Sequence, residues 1–254
     1  MKRKLYIGLM YVLLIVFCVS TTCVVYYEKQ SADNRDRYAA LAELVQTDET
    51  TPNQDQEPNS APTILAEYAQ AYEVNPHLIG WLEIPDSTIS YPVVQDPYDE
   101  DDYYLDHDFM GNKSSYGCLF VRNDADVLAP SDNVTIYGHH MRDGSMFAGL
   151  EAYGKKSYWE SHKIIRFDTI YEKHTYEVFA VFTTTATLNK GFAYHSFING
   201  DKEAFDAFVD RCKGLSMYDT GISPQWGDKL ICLSTCEYSK ENGRLVVAAV
   251  RVDN

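Results

Sequence analysis

From about residue 78 to the C-terminus the chain is written as short β-prone runs cut by turn residues, and no other feature limits the fold as tightly. The runs lie at 80–84, 89–94, 116–121, 133–137, 163–168, 175–184, 229–235 and 244–252. Eight such runs predict a mainly β domain, either a closed barrel or a sandwich. Two helices interrupt this texture. Ile64, Leu65, Tyr68, Ala69 and Tyr72 recur at helical spacing over 63–74, and Ala204, Phe205, Phe208 and Val209 make one apolar stripe over 201–212. A shorter helix is expected over 146–152.

Ahead of this domain, residues 5–27 contain no charged side chain, which is long enough to span a bilayer. A cleaved signal peptide has a shorter apolar region and a small-residue cleavage site. No A-x-A pattern occurs near 19–25, and Cys23 lacks the small residue expected just before a lipidated cysteine. The reading is a retained single-pass membrane anchor. Lys2, Arg3 and Lys4 precede the span and Glu28 follows it, so the positive-inside rule puts the N-terminus in the cytoplasm and the rest of the chain outside. Residues 28–62 then form an extracellular linker. It has a polar stretch at 28–37, a helix-like patch at 38–45 and a proline-bearing spacer at 46–62 with almost no apolar residues. The domain plan is thus a cytoplasmic tail 1–4, an anchor 5–27, a linker 28–62 and a folded domain 63–254.

All 37 acidic residues lie beyond residue 27, against 19 of the 22 basic ones. A field of that sign excludes nucleic acid as a partner. Cys18 and Cys23 fall in the span; Cys118, Cys212, Cys232 and Cys236 fall outside it. More than 200 extracellular residues can build a core without disulfides, and the C-x3-C spacing of Cys232 and Cys236 is not that of a metal site. The acidic run Asp96, Asp99, Glu100, Asp101, Asp102 lacks a calcium-loop pattern and reads as a solvated loop. No cofactor is called for.

Chemistry concentrates at the end of one run. The segment 229–236 (KLICLSTC) is apolar on both alternating faces, as a strand buried on both sides should be, and Cys236 sits where it ends. After a turn containing Asn242 and Gly243, Arg244 starts the next strand. If the two strands pair antiparallel, a thiol and a guanidinium meet at one rim, on strands about 4.8 Å apart. A cation there favours the thiolate, which is the nucleophilic form. Cys118, Cys212 and Cys232 read as small buried hydrophobes. The outstanding base is in the segment 133–147 (NVTIYGHHMRDGSMF), a strand ending in glycine and two histidines. His139 and His140 point to opposite faces of an extended chain and would not chelate one ion together. The other histidines lie among charged or turn residues and read as solvated.

The segments YGHHMRDGSMFAGL at 137–150, LSTC at 233–236 and RLVV at 244–247 resemble the class B sortases of Gram-positive bacteria. So do NPHLIGWLEIP at 75–85, YPVVQ at 91–95 and YYLDHDF at 103–109, which carries the resemblance over about residues 73–252. The resemblance implies an eight-stranded sortase-type β-barrel with an N-terminal helix and one or two additional helices. It also implies a cysteine transpeptidase. A thiolate attacks the threonine carbonyl of a sorting motif near the C-terminus of a secreted protein, and an amine of a peptidoglycan precursor resolves the thioester. Carried over by position, Cys236 is the nucleophile, His139 the acid/base partner and Arg244 the oxyanion or substrate clamp. The backbone N–H of Glu237, with Ser234 and Thr235, joins the oxyanion or substrate-positioning set. The sequence departs from the family at His140, where asparagine is common. A surface cysteine peptidase that releases its acyl group to water, and a non-catalytic anchored binding module, remain as alternatives.

Only one of the two histidines can face Cys236. His139→Ala is expected to lose nearly all turnover, about 10²- to 10⁴-fold, whereas His140→Asn keeps most of it. Initial rates of the two variants on one sorting peptide check the assignment; a dead His140→Asn beside an active His139→Ala reverses it.

Overall fold

A computed structural model of the protein describes residues 2–46, 62–96, 102–187, 190–238 and 242–252. The spacer 47–61, Asp99, Glu100 and Asp101 of the acidic run, and 239–241 of the turn after Cys236 lie outside the described residues. The chain forms two compact units, Met1–Glu43 and Leu44–Asn254.

The first unit is helical. Helix α1 runs unbroken over Lys2–Gln46, so the polar stretch after the apolar run continues the helix instead of interrupting it. The reason is local: between Gly8 and Pro52 there is neither glycine nor proline to break a helix. This helix is long and apolar enough to cross a membrane, with a mean hydropathy of 2.4 in its most apolar window.

In the second unit, α2 (Ala66–Val74) is followed by eight strands: β1 (Leu78–Glu83), β2 (Ser90–Gln95), β3 (Leu119–Val121), β4 (Asn133–Tyr137), β5 (Ile164–Thr169), β6 (Thr175–Thr185), β7 (Leu230–Glu237) and β8 (Gly243–Arg251). All eight expected runs form strands. They close into a barrel in the order β1-β2-β3-β4-β7-β8-β6-β5, with β5 returning antiparallel to β1. The β2–β3 and β4–β7 pairs are parallel. Helix α4 (Lys202–Leu215) is capped by Asp201, whose carboxylate accepts the Ala204 N–H at 3.0 Å. The expected helix after Met146 is a 3-10 turn over Phe147–Gly154. A short helix, α3 (Lys156–Ser161), follows it and carries no apolar stripe of its own.

Strand β7 is central, between β4 and β8. It is buried on both faces, with Leu230, Ile231, Cys232 and Leu233 at most 1% exposed. On one face Leu230 and Cys232 pack with Phe205, Phe208, Val209 and Cys212 of α4 and with Phe179, Phe182 and Val246. Each of those phenylalanines contributes roughly 1.5–3 kcal/mol by burial. The layer fixes β7, and therefore the place where it ends.

The end of β4 is set by a close approach. A side chain at Gly138 would put its Cβ 2.4 Å from Leu119 Cδ2 and 2.7 Å from Phe147 Cδ2. Only glycine lets the chain turn there into His139. Gly138→Ala should cost about 1–3 kcal/mol by overpacking and displace the histidine that follows. Chemical denaturation and peptide turnover of the purified variant, both reduced together, are the expected outcome.

Candidate active site

A cleft of about 330 Å³ opens where β4 and β7 end and β8 begins. Cys236, His139 and Arg244 all line it, with Ser234 and Thr235. Each is placed by a strand end or the turn just after one.

The register decides the first pair. Strands β7 and β8 are antiparallel with Cys236 opposite Arg244 and Glu237 opposite Gly243. On this register the Arg251 N–H donates to Lys229 O at 2.8 Å. Hydrogen-bonded and non-hydrogen-bonded pairs alternate along an antiparallel ladder, so Cys236 and Arg244 form a non-hydrogen-bonded pair. Such pairs hold their Cα atoms about 4.5 Å apart and bring the side chains closest together. The same parity points the Glu237 N–H toward Gly243 on β8, along the ladder.

Arg244 donates through Nη1 to Gly243 O at 2.9 Å. A guanidinium carries five donors in a fixed fork, so donors remain for an oxygen in the cleft. Cys236 is partly exposed, whereas Cys118, Cys212 and Cys232 are buried. Burial pushes the Cys212 and Cys232 thiols well above their ordinary range, which makes them inert. Position thus separates one accessible thiol from the other cysteines of the second unit.

His139 is held from the far side. Its Nε2–H donates to Leu105 O at 2.6 Å, so the neutral ring carries its lone pair on Nδ1. Leu105 O is brought close by Gly117, whose φ of 60° and Cβ position 2.8 Å from that oxygen require glycine. The Phe147 N–H donates to His139 O at 2.9 Å, closing the loop behind the histidine. His140 points elsewhere: its Nδ1 lies 3.2 Å from Cys236 O. It is not part of the cleft wall.

The side chains of Ser234 and Thr235 are buried and already bonded. Ser234 Oγ shares a 2.5 Å hydrogen bond with Tyr194 Oη, and Thr235 Oγ1 donates to Gly138 O at 2.8 Å. Both brace the site. Tyr194, His195 and Arg122 also line the cleft, and sequence reading missed all three. His195 had read as solvated; burial and then the Arg122 and Arg244 charges hold its pKa below the usual histidine value. Arg122 pairs with Asp102 at 2.8 Å and lies over the Tyr137 ring at 5.0 Å. Arg122 directly follows β3, and Tyr194 and His195 share a 3-10 turn. No local spacing links them to Cys236, so the sequence carried no signal for them.

A thiol opposite a guanidinium, with an oriented imidazole on the same cleft, defines a cysteine acyl-transfer enzyme. Residues 82–252 match the sortase domain family. The chain is 34% identical over 179 residues to sortase B of Listeria monocytogenes, covering 69% of this chain and 70% of that protein. It is 31% identical over 191 residues to sortase B of Staphylococcus aureus, covering 73% and 75%. A solved Staphylococcus aureus sortase B–substrate complex superposes with a TM-score of 0.77 at 27% identity, over 89% of this chain and 99% of that one. This chain therefore belongs to the sortase family, in its class B, and is a cysteine transpeptidase.

Arg244→Lys keeps the charge but replaces a planar fork with a mobile ammonium. Loss of one oxyanion donor is worth about 10²- to 10³-fold in kcat, and we expect kcat to fall by about 10²-fold. Steady-state kinetics check this; near-normal kcat means that Arg244 supplies only a general positive field.

Proposed function

We propose that this sortase works at the cell surface, held by α1, with its N-terminus in the cytoplasm and its barrel outside. The charge bias around the apolar run supports that orientation. Its substrates are secreted proteins carrying a C-terminal sorting motif, and its acceptor is an amine of a peptidoglycan precursor. The observation that carries the roles is the Cys236–Arg244 pair, with His139 on the same cleft.

The geometry supports the following course for the reaction. The Cys236 thiolate attacks the threonine carbonyl, forming an S–C bond, and the developing oxyanion lies beside the Arg244 fork. Collapse breaks the C–N bond as protonated His139 gives its proton to the leaving amine. The acyl group is now a thioester on Cys236. An incoming amine, losing a proton to His139, attacks that thioester; a new C–N bond forms and the thiolate leaves. Arg244 is the oxyanion donor in both halves. Because the Glu237 N–H lies along the β7–β8 ladder, its use as a second donor requires the end of that ladder to open when substrate binds. Ser234 and Thr235 act by bracing Cys236.

Cys236→Ala should abolish cleavage of a sorting peptide with no loss of fold, since one sulfur is removed at a rim. Retained turnover by the folded variant ends the cysteine mechanism. With wild-type enzyme and an added oligoglycine acceptor, mass spectrometry should find the amine-linked product rising at the expense of the free acid. Free acid alone at every acceptor concentration identifies a peptidase.

A further inference from the structure

Strand β7 presents its even-numbered residues to β4. The Leu230 N–H donates to Asp132 O at 2.9 Å, and Ser234 O accepts the Gly138 N–H at 3.1 Å. The next carbonyl on that edge, two residues on, is Cys236 O. By then β4 has ended, at Tyr137. The bond at this place comes from a side chain: His140 Nδ1–H donates to Cys236 O at 3.2 Å. A carbonyl can only accept, so Nδ1 carries a proton.

Further contacts surround residue 140. It stacks on the Tyr238 ring with centroids 5.2 Å apart and planes at 28°. The Tyr238 hydroxyl donates back to His140 O at 3.1 Å. Glu151 lies 3.4 Å from Nε2. The side chain of residue 140 thus bonds the backbone of 236, and the side chain of 238 bonds the backbone of 140. The two bonds and the stack close a ring of contacts around Cys236–Tyr238.

We propose that His140 is the positioning residue for the nucleophile: its imidazole is the last rung of the β4–β7 ladder and fixes the peptide that follows Cys236. That peptide is trans and planar, so its C=O and N–H point opposite ways. His140 holds the C=O toward β4 while the register points the Glu237 N–H toward Gly243 on β8. With both ends of the plane held, Cys236 keeps its setting between His139 and Arg244. Strand β7 ends at Glu237, and a strand end without its last rung frays. A displacement of about 1 Å in a reacting group costs on the order of 10² in rate, so one rung matters more for turnover than for folding.

The inference rests on Cys236 being the nucleophile, and its test has one arm that does not. Asparagine places its Nδ2–H where histidine places Nδ1–H, whereas phenylalanine keeps a ring against Tyr238 and has no donor. The variants His140→Asn and His140→Phe, made in the full chain in detergent, are compared by kcat, KM, melting temperature and amide hydrogen exchange across 234–238. His140→Phe should exchange at least about tenfold faster in that segment and lose about tenfold in kcat, with KM within about twofold and no change in melting temperature. His140→Asn should restore both exchange and kcat. If His140→Phe lowers the melting temperature, Tyr238→Leu serves instead: this residue is 72% exposed, and removing its stack and back bond should speed exchange and lower kcat severalfold. Unchanged exchange in His140→Phe and Tyr238→Leu, or an asparagine variant that behaves like the phenylalanine one, overturns the proposal. If the wild type cleaves no sorting peptide, the transpeptidase reading fails, and hydrogen exchange alone still decides whether His140 holds the strand end.

Discussion

The site depends on one non-hydrogen-bonded pair in an antiparallel ladder. Because Cys236 and Arg244 face each other in that setting, their backbones turn outward, Cys236 toward β4 and Arg244 toward Thr184 of β6. Their side chains are left as nearest neighbours. A slip of one residue exchanges the two faces of the strand. It would carry Cys236 away from the cleft and oppose it to Gly243 or Leu245. What prevents the slip is burial on both faces of β7 and β8, from Leu230 to Leu233 and from Leu245 to Val250. The geometry of this pair is thus inherited from hydrophobic register several residues away.

The same burial selects among the thiols. Cys232 lies one alternation step below Ser234 and two below Cys236, on the face that meets α4. There, desolvation disfavours the thiolate. Four residues further along, α4 no longer covers the strand, and the thiol opens onto the cleft. Identical side chains on one strand face therefore differ in chemistry because the covering helix stops between them.

Much of this was legible in the sequence, for identifiable reasons. All eight strands were found because β-branched and aromatic runs bounded by turn residues are a local signal, and α4 because Phe205, Phe208 and Val209 share a stripe. Cys236 and Arg244 were paired correctly because a seven-residue connection between adjacent strands is also local. What was not legible is long-range or stripe-free. Helix α3 buries Trp159 alone, too little for periodicity to register. Residues 28–37 were read only as a polar stretch before a helix-like patch, because hydropathy falls after Tyr27, though nothing there disrupts a helix. The parallel contact of β4 with β7 brings His140 to Cys236 across about 96 residues of chain, and no spacing rule anticipates such a crossover. His195 reaches the cleft on a 3-10 turn for the same reason.

Charge makes the contrast between chain and site sharpest. The chain has a formal net charge of −15, yet the cleft is walled by Arg122, Arg244, His139 and His195, with Asp102 as its acid. Asp102 pairs with Arg122 at 2.8 Å, and among the described residues that line the cleft no second acid faces Arg244. Burial first, and the Arg122 and Arg244 charges against the opposing pull of Asp124, hold the His195 pKa below the usual histidine value. The net acidity of the whole chain therefore does not describe the cleft, because a charge at contact distance outweighs distant surface charges screened by salt.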